Sequence, residues 1–493
     1  MKETEVVITL KSLTNLMVQP WPDTQPVAIA PFNSSASNSL ISNSVMSNSK
    51  PFNSIASGNV LWSQFRSDVN TLTQQLTASK HQRWAICFED SYFFAVAFMA
   101  AAHANRHIIL PGNYQPAALA ELTPHFDAVL HDGVVDHLTA TDIELFTVDA
   151  ASLSAISDSQ TTNSLPFSPL LLNTICLTLF TSGSNGTPKA IDKTLALLDA
   201  EIEQLDAVWG GVISNSTITS TVSHQHIYGL LFRVLWPLCS GRAFERLNVI
   251  YPEQVIAHAN QDTTLISSPA LLKRLTEEHV SKPYRAIFSS GGPLSLDAAQ
   301  HSHNLFEQRP FEVFGSTETG GIGYRQQQDA TTPWLLFPAI NMMLNAEGCL
   351  RLLSPFIDPN NWYQTSDQCA CLSERTFMLK GRADRIVKIE EKRISLTEVE
   401  RRLCDLDWIE EAAVLPLEET NRLILAAVIT LSENGKKTID DLGKGKFWLT
   451  LRQALRQSVE PVGVPRRYRA VDEIPLNSQG KRLVRDLEQL FID

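Results

Sequence analysis

The chain is 493 residues long, with 44% apolar, 19% charged and 8% aromatic side chains. That is an ordinary globular composition, with length for two or three domains and a large core. Its 41 basic and 53 acidic side chains leave a net charge of −12, which argues against nucleic-acid binding and against attachment to anionic lipid by charge.

The longest apolar run, Tyr92 to Ala102, covers 11 residues, against roughly 20 for a membrane span. No transmembrane segment is expected. The opening MKETEVVITLKSL lacks the basic-then-apolar order of a signal peptide. The seven cysteines are scattered and odd in number, unlike a disulfide framework, so a reducing, cytoplasmic setting is expected.

Residues 31–58 are rich in Ser and Asn, with PFNSSAS at 31–37 returning as PFNSIAS at 51–57. Such a stretch buries too little apolar surface to offset its ordering entropy, and reads as a poorly ordered surface loop. Arg83 to Phe88 reads as a buried strand, Tyr92 to Ala104 as a buried helix after Asp90, and His107 to Leu110 as a second strand. This βαβ rhythm implies a parallel sheet covered by helices. It resumes at Leu171 to Phe180 and is expected to continue past 340.

After about 380 the charge density rises, and Ile394–Asp493 reads as a compact α+β unit. Ser395 with Glu398 fits a capping box opening a helix from Leu396 to Leu406. Strands are expected near 411–415 and 422–431, a helix near 445–458 and a last strand near 467–474. The expected architecture is α/β, with a large body and a small C-terminal domain.

Directly after the strand Ile175–Phe180 comes Thr181-Ser182-Gly183-Ser184-Asn185-Gly186-Thr187-Pro188-Lys189. Glycine and hydroxyl residues let backbone amides turn toward an anion, and the lysine adds positive charge. The spacing is not that of the kinase-type P-loop. Taken alone, such a run reads as a polar turn between strand and helix.

The run resembles the TSGSTGxPK signature of the adenylate-forming superfamily, which includes acyl-CoA synthetases, peptide-synthetase adenylation domains and luciferases. Further segments match in family order. Phe314-Gly315-Ser316-Thr317-Glu318 is similar to YGxTE, and Tyr363-Gln364-Thr365-Ser366-Asp367 to YxTGD with Ser366 replacing glycine. Gly381-Arg382-Ala383-Asp384 resembles GRxDD, with Arg385 in place of the second aspartate. Pro475 to Lys481 resembles PxxxxGK.

The resemblance implies a large multi-sheet adenylation domain at 1–380 and a small mobile domain at 381–493, with a hinge near Asp384. It implies ATP and Mg²⁺ as cofactors, with nucleotide contacts from Thr181, Ser182, Gly183, Ser184, Gly186, Gly291, Gly292, Phe314, Gly315, Asp367 and Arg382. Phe314 stacks on adenine, Thr317 bonds the α-phosphate, Glu318 helps hold Mg²⁺ and Asp367 takes the ribose hydroxyls. Lys189 belongs to the phosphate loop, and Lys481 bridges the carboxylate and the nucleotide during adenylation.

His224-Gln225-His226-Ile227-Tyr228-Gly229-Leu230 is similar to the segment beside the acyl pocket, with His226 the better candidate for its carboxylate end. No charged residue is positioned to read an amino acid's ammonium, which favours a fatty or aryl acid. The implied activity is formation of an acyl-adenylate with release of pyrophosphate, then transfer to a pantetheine thiol. Glu391 stands where relatives using coenzyme A carry a glycine, so the acceptor is either coenzyme A or an acyl carrier protein docking near Arg466, Arg467 and Arg469. The alternatives are a ligase that stops at the adenylate, and a catalytically silent nucleotide-binding relative.

Overall fold

The computed structural model describes residues 10–30, 58–112, 114–135, 143–159, 166–182, 188–275, 282–389, 392–419, 422–459, 461–477 and 482–492. The Ser/Asn-rich stretch, apart from Gly58, lies outside them.

The alternation read at the start of the body is present as strand Arg83–Cys87, helix Ser91–His103 and strand His107–Leu110. Asp90 opens the helix, its Oδ1 accepting the Tyr92 N–H at 2.8 Å. Its Oδ2 lies 2.6 Å from the buried Arg246 guanidinium. The helix shows no polar face because Ser91 through Ala102 are all buried. These strands join Ala128–His131, Glu144–Thr147 and Cys176–Ser182 in a parallel run, edged by the antiparallel strand Pro188–Thr194. The glycine-rich loop therefore leaves the carboxyl end of a parallel strand, where open α/β sheets bind ligands.

A second sheet continues the parallel pattern through Thr217–Ser220, Thr263–Ser267, Ala286–Ser289 and Phe311–Ser316. There the rhythm expected to run past 340 stops. Paired strands from Phe311 to Arg382 are antiparallel. Parallel neighbours need a crossover of about a dozen residues or more, and the link from Ser316 to Gly320 is too short for one.

Helix Leu195–Trp209 packs between these sheets and ends in their shared core. Trp209 is 2% exposed and is ringed by Phe288, Phe311, Tyr324 and Phe337 at centroid distances of 5.0, 5.6, 5.0 and 5.4 Å. Trp209→Ala should destabilise the body by about 3–5 kcal/mol. The check is the urea midpoint by near-ultraviolet circular dichroism, and an unmoved midpoint would contradict the packing described.

The C-terminal segment has its own apolar cluster, including Val399, Leu403, Ile429, Phe447 and Leu451. Ser395 caps helix Leu396–Cys404 by accepting the Glu398 N–H. Strands Ile409–Glu419 and Arg422–Leu431 form a hairpin, and Arg467–Ala470 adds to it in parallel. The helix expected near 445 is Lys444–Leu455, and Glu433–Leu442 precedes it as a helix that was not expected. No helix among the described residues is long and apolar enough to cross a membrane.

Candidate active site

Strands Phe311–Ser316 and Gly320–Arg325 pair through a tight turn that presents Thr317 and Glu318. The turn requires small residues. A Cβ on Gly315 would stand 2.2 Å from the Gly320 carbonyl oxygen, and Gly320 adopts φ +65°. Thr317 is buried and Glu318 half-buried.

Lys189, on strand Pro188–Thr194, donates from Nζ to Glu318 Oε1 at 2.7 Å. The contact joins the end of the glycine-rich loop to the turn and raises the Lys189 pKa. Burial pushes the Glu318 carboxyl up, but hydrogen bonds from Lys189, its own backbone amide and Ser316 bring it below the usual range. The carboxylate is held ionised.

Asp367 and Arg382 are register partners on the antiparallel strands Asp358–Cys371 and Thr376–Arg382, and their side chains pair at 3.2 Å. Tyr363 lies within electrostatic reach of Glu318, Lys189, Arg382 and Asp367; burial first, then the carboxylates, raise its phenol. Three segments picked out in the sequence, far apart along the chain, thus converge here: the loop end, the turn and the Asp–Arg pair.

Phe314 is partly buried against Trp334 and Phe377, at 5.5 and 6.1 Å between centroids. Beside it, Ser290 donates to the Val313 carbonyl at 2.8 Å. Gly291 and Gly292 follow, exposed and with open space where a Cβ would sit.

Of the two histidines next to the expected acyl pocket, His224 is buried and tied down: Nδ1 to Ser91 Oγ and Nε2 to the Phe88 carbonyl, both at 2.9 Å. Burial lowers its pKa, so it is neutral. His226 is partly exposed and immediately precedes the short helix Ile227–Gly229. The Tyr228 ring is partly exposed, but its hydroxyl is buried against the Ser267 backbone without a well-formed hydrogen bond. Ser289, the register partner of Ser267, likewise has a buried hydroxyl with no partner among the described residues.

Thr181 and Ser182 end their strand opposite Lys189 and Pro188. Gly183, Ser184, Gly186, Glu391 and Lys481 lie outside the described residues, as does the side chain of Asp384. Asp384 sits on the single turn Ala383–Arg385. Arg385 makes a two-pronged contact with Glu400 at 2.7 and 3.1 Å and also donates to the Val414 carbonyl.

The arginines read as a docking patch face inward in part. Arg467 and Arg469 donate to the Phe491 and Leu490 carbonyls, and both guanidiniums lie over the Phe491 ring.

Two polar residues at the site escaped the sequence reading. Lys193 donates to the carbonyls of Glu318 and Phe356 at 3.2 and 3.0 Å. Glu201 accepts the Gly321 N–H at 2.7 Å. No local signal singled Glu201 out, because Asp199 and Gln204 are buried on the same helix Leu195–Trp209.

Residues 57–342 match the model of the AMP-binding enzyme family. The chain belongs to that family. Among its relatives is the 4-coumarate–CoA ligase of Cereibacter sphaeroides, 24% identical over 306 residues, which are 62% of this chain and 69% of the relative. The enzyme of that name from Halorhodospira halophila is 26% identical over 312 residues, 62% of this chain and 74% of the relative. The crystal structure of ATP-bound MatB from Rhodopseudomonas palustris superposes with a TM-score of 0.76. It covers 98% of this chain and 99% of that one at 15% identity, a likeness of fold.

Proposed function

We propose that this protein is an ATP-dependent acid–thiol ligase that activates a carboxylic acid as its acyl-adenylate and passes the acyl group to a pantetheine thiol. The convergence of Lys189 and Glu318 with the Asp367–Arg382 pair carries this reading. It provides a cation for phosphates, an ionised carboxylate for a hard cation, and a carboxylate–guanidinium pair for a ribose.

A carboxylate is a poor acyl donor because oxide is its leaving group. One carboxylate oxygen attacks the α-phosphorus of ATP, the new O–P bond forms, and the bond to the β-phosphate oxygen breaks to release pyrophosphate. Positioning and electrostatics suffice for such a transfer. Thr317 holds the α-phosphate, Phe314 stacks on adenine beside the open Gly291–Gly292 turn, and Asp367 accepts from the ribose hydroxyls. Lys189 exchanges Glu318 for the phosphates of the incoming nucleotide. Lys481 and the 181–189 loop complete the cradle.

A single ionised carboxylate beside phosphate oxygens is a donor set that fits Mg²⁺, which usually keeps water and one or two carboxylates. Bound there, the ion would neutralise charge on the phosphates. In the second half-reaction the thiol sulfur attacks the acyl carbonyl and AMP departs. A swing of the C-terminal unit about Asp384 exchanges the lysine loop for the thiol entrance.

The 4-coumarate–CoA ligase relatives favour an aryl acid carrying its own hydroxyl over a fatty acid. The test is ATP-dependent pyrophosphate release, without thiol, across fatty, cinnamic and benzoic acids with and without ring hydroxyls. Hydroxylated aryl acids should exceed their unsubstituted analogues by at least about tenfold in kcat/KM. A preference for alkyl chains would overturn the choice of acid, and silence across the panel would overturn the ligase. Coenzyme A and a phosphopantetheinyl carrier protein are then compared as acceptors of the adenylate.

A further inference from the structure

The turn that presents Thr317 and Glu318 is braced internally by Ser316 and Thr319, whose hydroxyls accept each other's N–H at 3.0 and 3.2 Å. Glycines occupy positions 315, 320, 321 and 323, and glycine leaves a backbone free to move. Phosphate chemistry needs contacts held to about half an ångström. The internal bonds shape the turn without fixing its place in the fold, and two buried residues tie it to strand Pro188–Thr194 and helix Leu195–Trp209.

Lys193 is 5% exposed and Glu201 3%. Lys193 lies four residues after Lys189 on one strand, so both side chains point to the same face. Lys189 grips the Glu318 carboxylate, while Lys193 grips the same residue's main-chain carbonyl and also the Phe356 carbonyl of the Ser354–Ile357 turn. Glu201 holds the other end of the turn through the Gly321 N–H. Its second oxygen is buried without a partner among the described residues and stands 2.5 Å from where a Gly320 Cβ would be.

Burying ionisable side chains is costly, and here each is hydrogen-bonded to main-chain groups at the turn or beside it. Packing alone does not require a lysine and a glutamate here. We propose that Lys193 and Glu201 are positioning residues for the nucleotide half of the site, fixing the turn so that Thr317 and Glu318 are preset for the phosphates. This rests on the ligase reading for what the turn binds.

The test uses the full chain and the double variant Lys193→Met/Glu201→Leu, which removes both charges together and keeps the core apolar. It should still fold, with a melting temperature lowered by the Glu318 and Phe356 carbonyls and the Gly321 N–H that lose their partners. Its dissociation constant for MgATP, measured by calorimetry without acid, should rise by at least about tenfold, and the KM for ATP with it, while the KM for the acid stays within about twofold. Lys193→Arg, which keeps the donor, should return MgATP affinity to within about threefold of wild type.

MgATP affinity within about twofold of wild type in the double variant, or equal losses for ATP and acid, would overturn the proposal. If the double variant does not fold, Lys193→Met alone decides on the same MgATP measurement. A wild-type protein that binds MgATP but releases no pyrophosphate would sink the ligase reading and leave the calorimetric test standing.

Discussion

Glu318→Gln is expected to lower acid-dependent pyrophosphate release by about 10²- to 10³-fold, the range found when one preorganised electrostatic contact is removed from an active site. The amide keeps the size of the side chain and still accepts a hydrogen bond from Lys189, so the fold of the turn should survive. Only the negative charge is lost. In the wild type that charge is secure: the folded pKa lies below the ordinary value of 4.5. The carboxylate is therefore ionised at neutral pH and titrates lower than an ordinary glutamate. Glu318 should contribute no acid limb to the pH–rate profile above about pH 5. The measurement is pyrophosphate release against Mg²⁺ concentration at saturating ATP. A variant with a wild-type rate and Mg²⁺ dependence would remove Glu318 from the phosphate chemistry.

Lys481→Ala is expected to divide the two half-reactions. Adenylation should fall by about 10²- to 10³-fold, since the lysine supplies a charge at the developing transition state. Thioester formation from a supplied acyl-adenylate should continue, because that step no longer needs a cation between carboxylate and phosphate. Arg482 donates to the Ala412 carbonyl at 2.6 Å and to Glu411 at 3.1 Å, both on the strand Ile409–Glu419. Arg482 is thereby anchored to the C-terminal sheet. Equal loss of both half-reactions would refute the assigned role.

Local signals were the most legible in the sequence. Asp90 before Tyr92 and Ser395 before Glu398 both cap helices through their own side chains, because a cap depends on residues two or three positions away. Strand His107–Leu110 likewise has the bounds read from its apolar run. Strand direction after Ser316 was not legible from apolar runs, since it depends on whether the connecting segment can cross over. Helix Glu433–Leu442 was hidden by Gly435 in its first turn, a poor helix former. That glycine is needed because a Cβ would meet the Trp408 carbonyl oxygen at 2.1 Å.

In the site, Lys189, Glu318, Asp367 and Arg382 stand in motifs long enough to be recognised. Lys193 and Glu201 do not. Their meaning lies in contacts with Glu318 and Gly321, more than a hundred positions further along the chain, and no local pattern encodes such a pairing.

The same Glu411 that anchors Arg482 also faces Lys273 of the large body, at 2.5 Å. All three side chains are roughly one-third exposed, at 38, 31 and 33% for Lys273, Glu411 and Arg482. Contacts of this kind are worth about 0–1 kcal/mol each, and at 0.1 M salt charges are screened over roughly 10 Å. A buried apolar seam at this place would hold the two parts as one piece. Half-wetted charges instead hold the two parts weakly at this place, with ionic strength setting the grip.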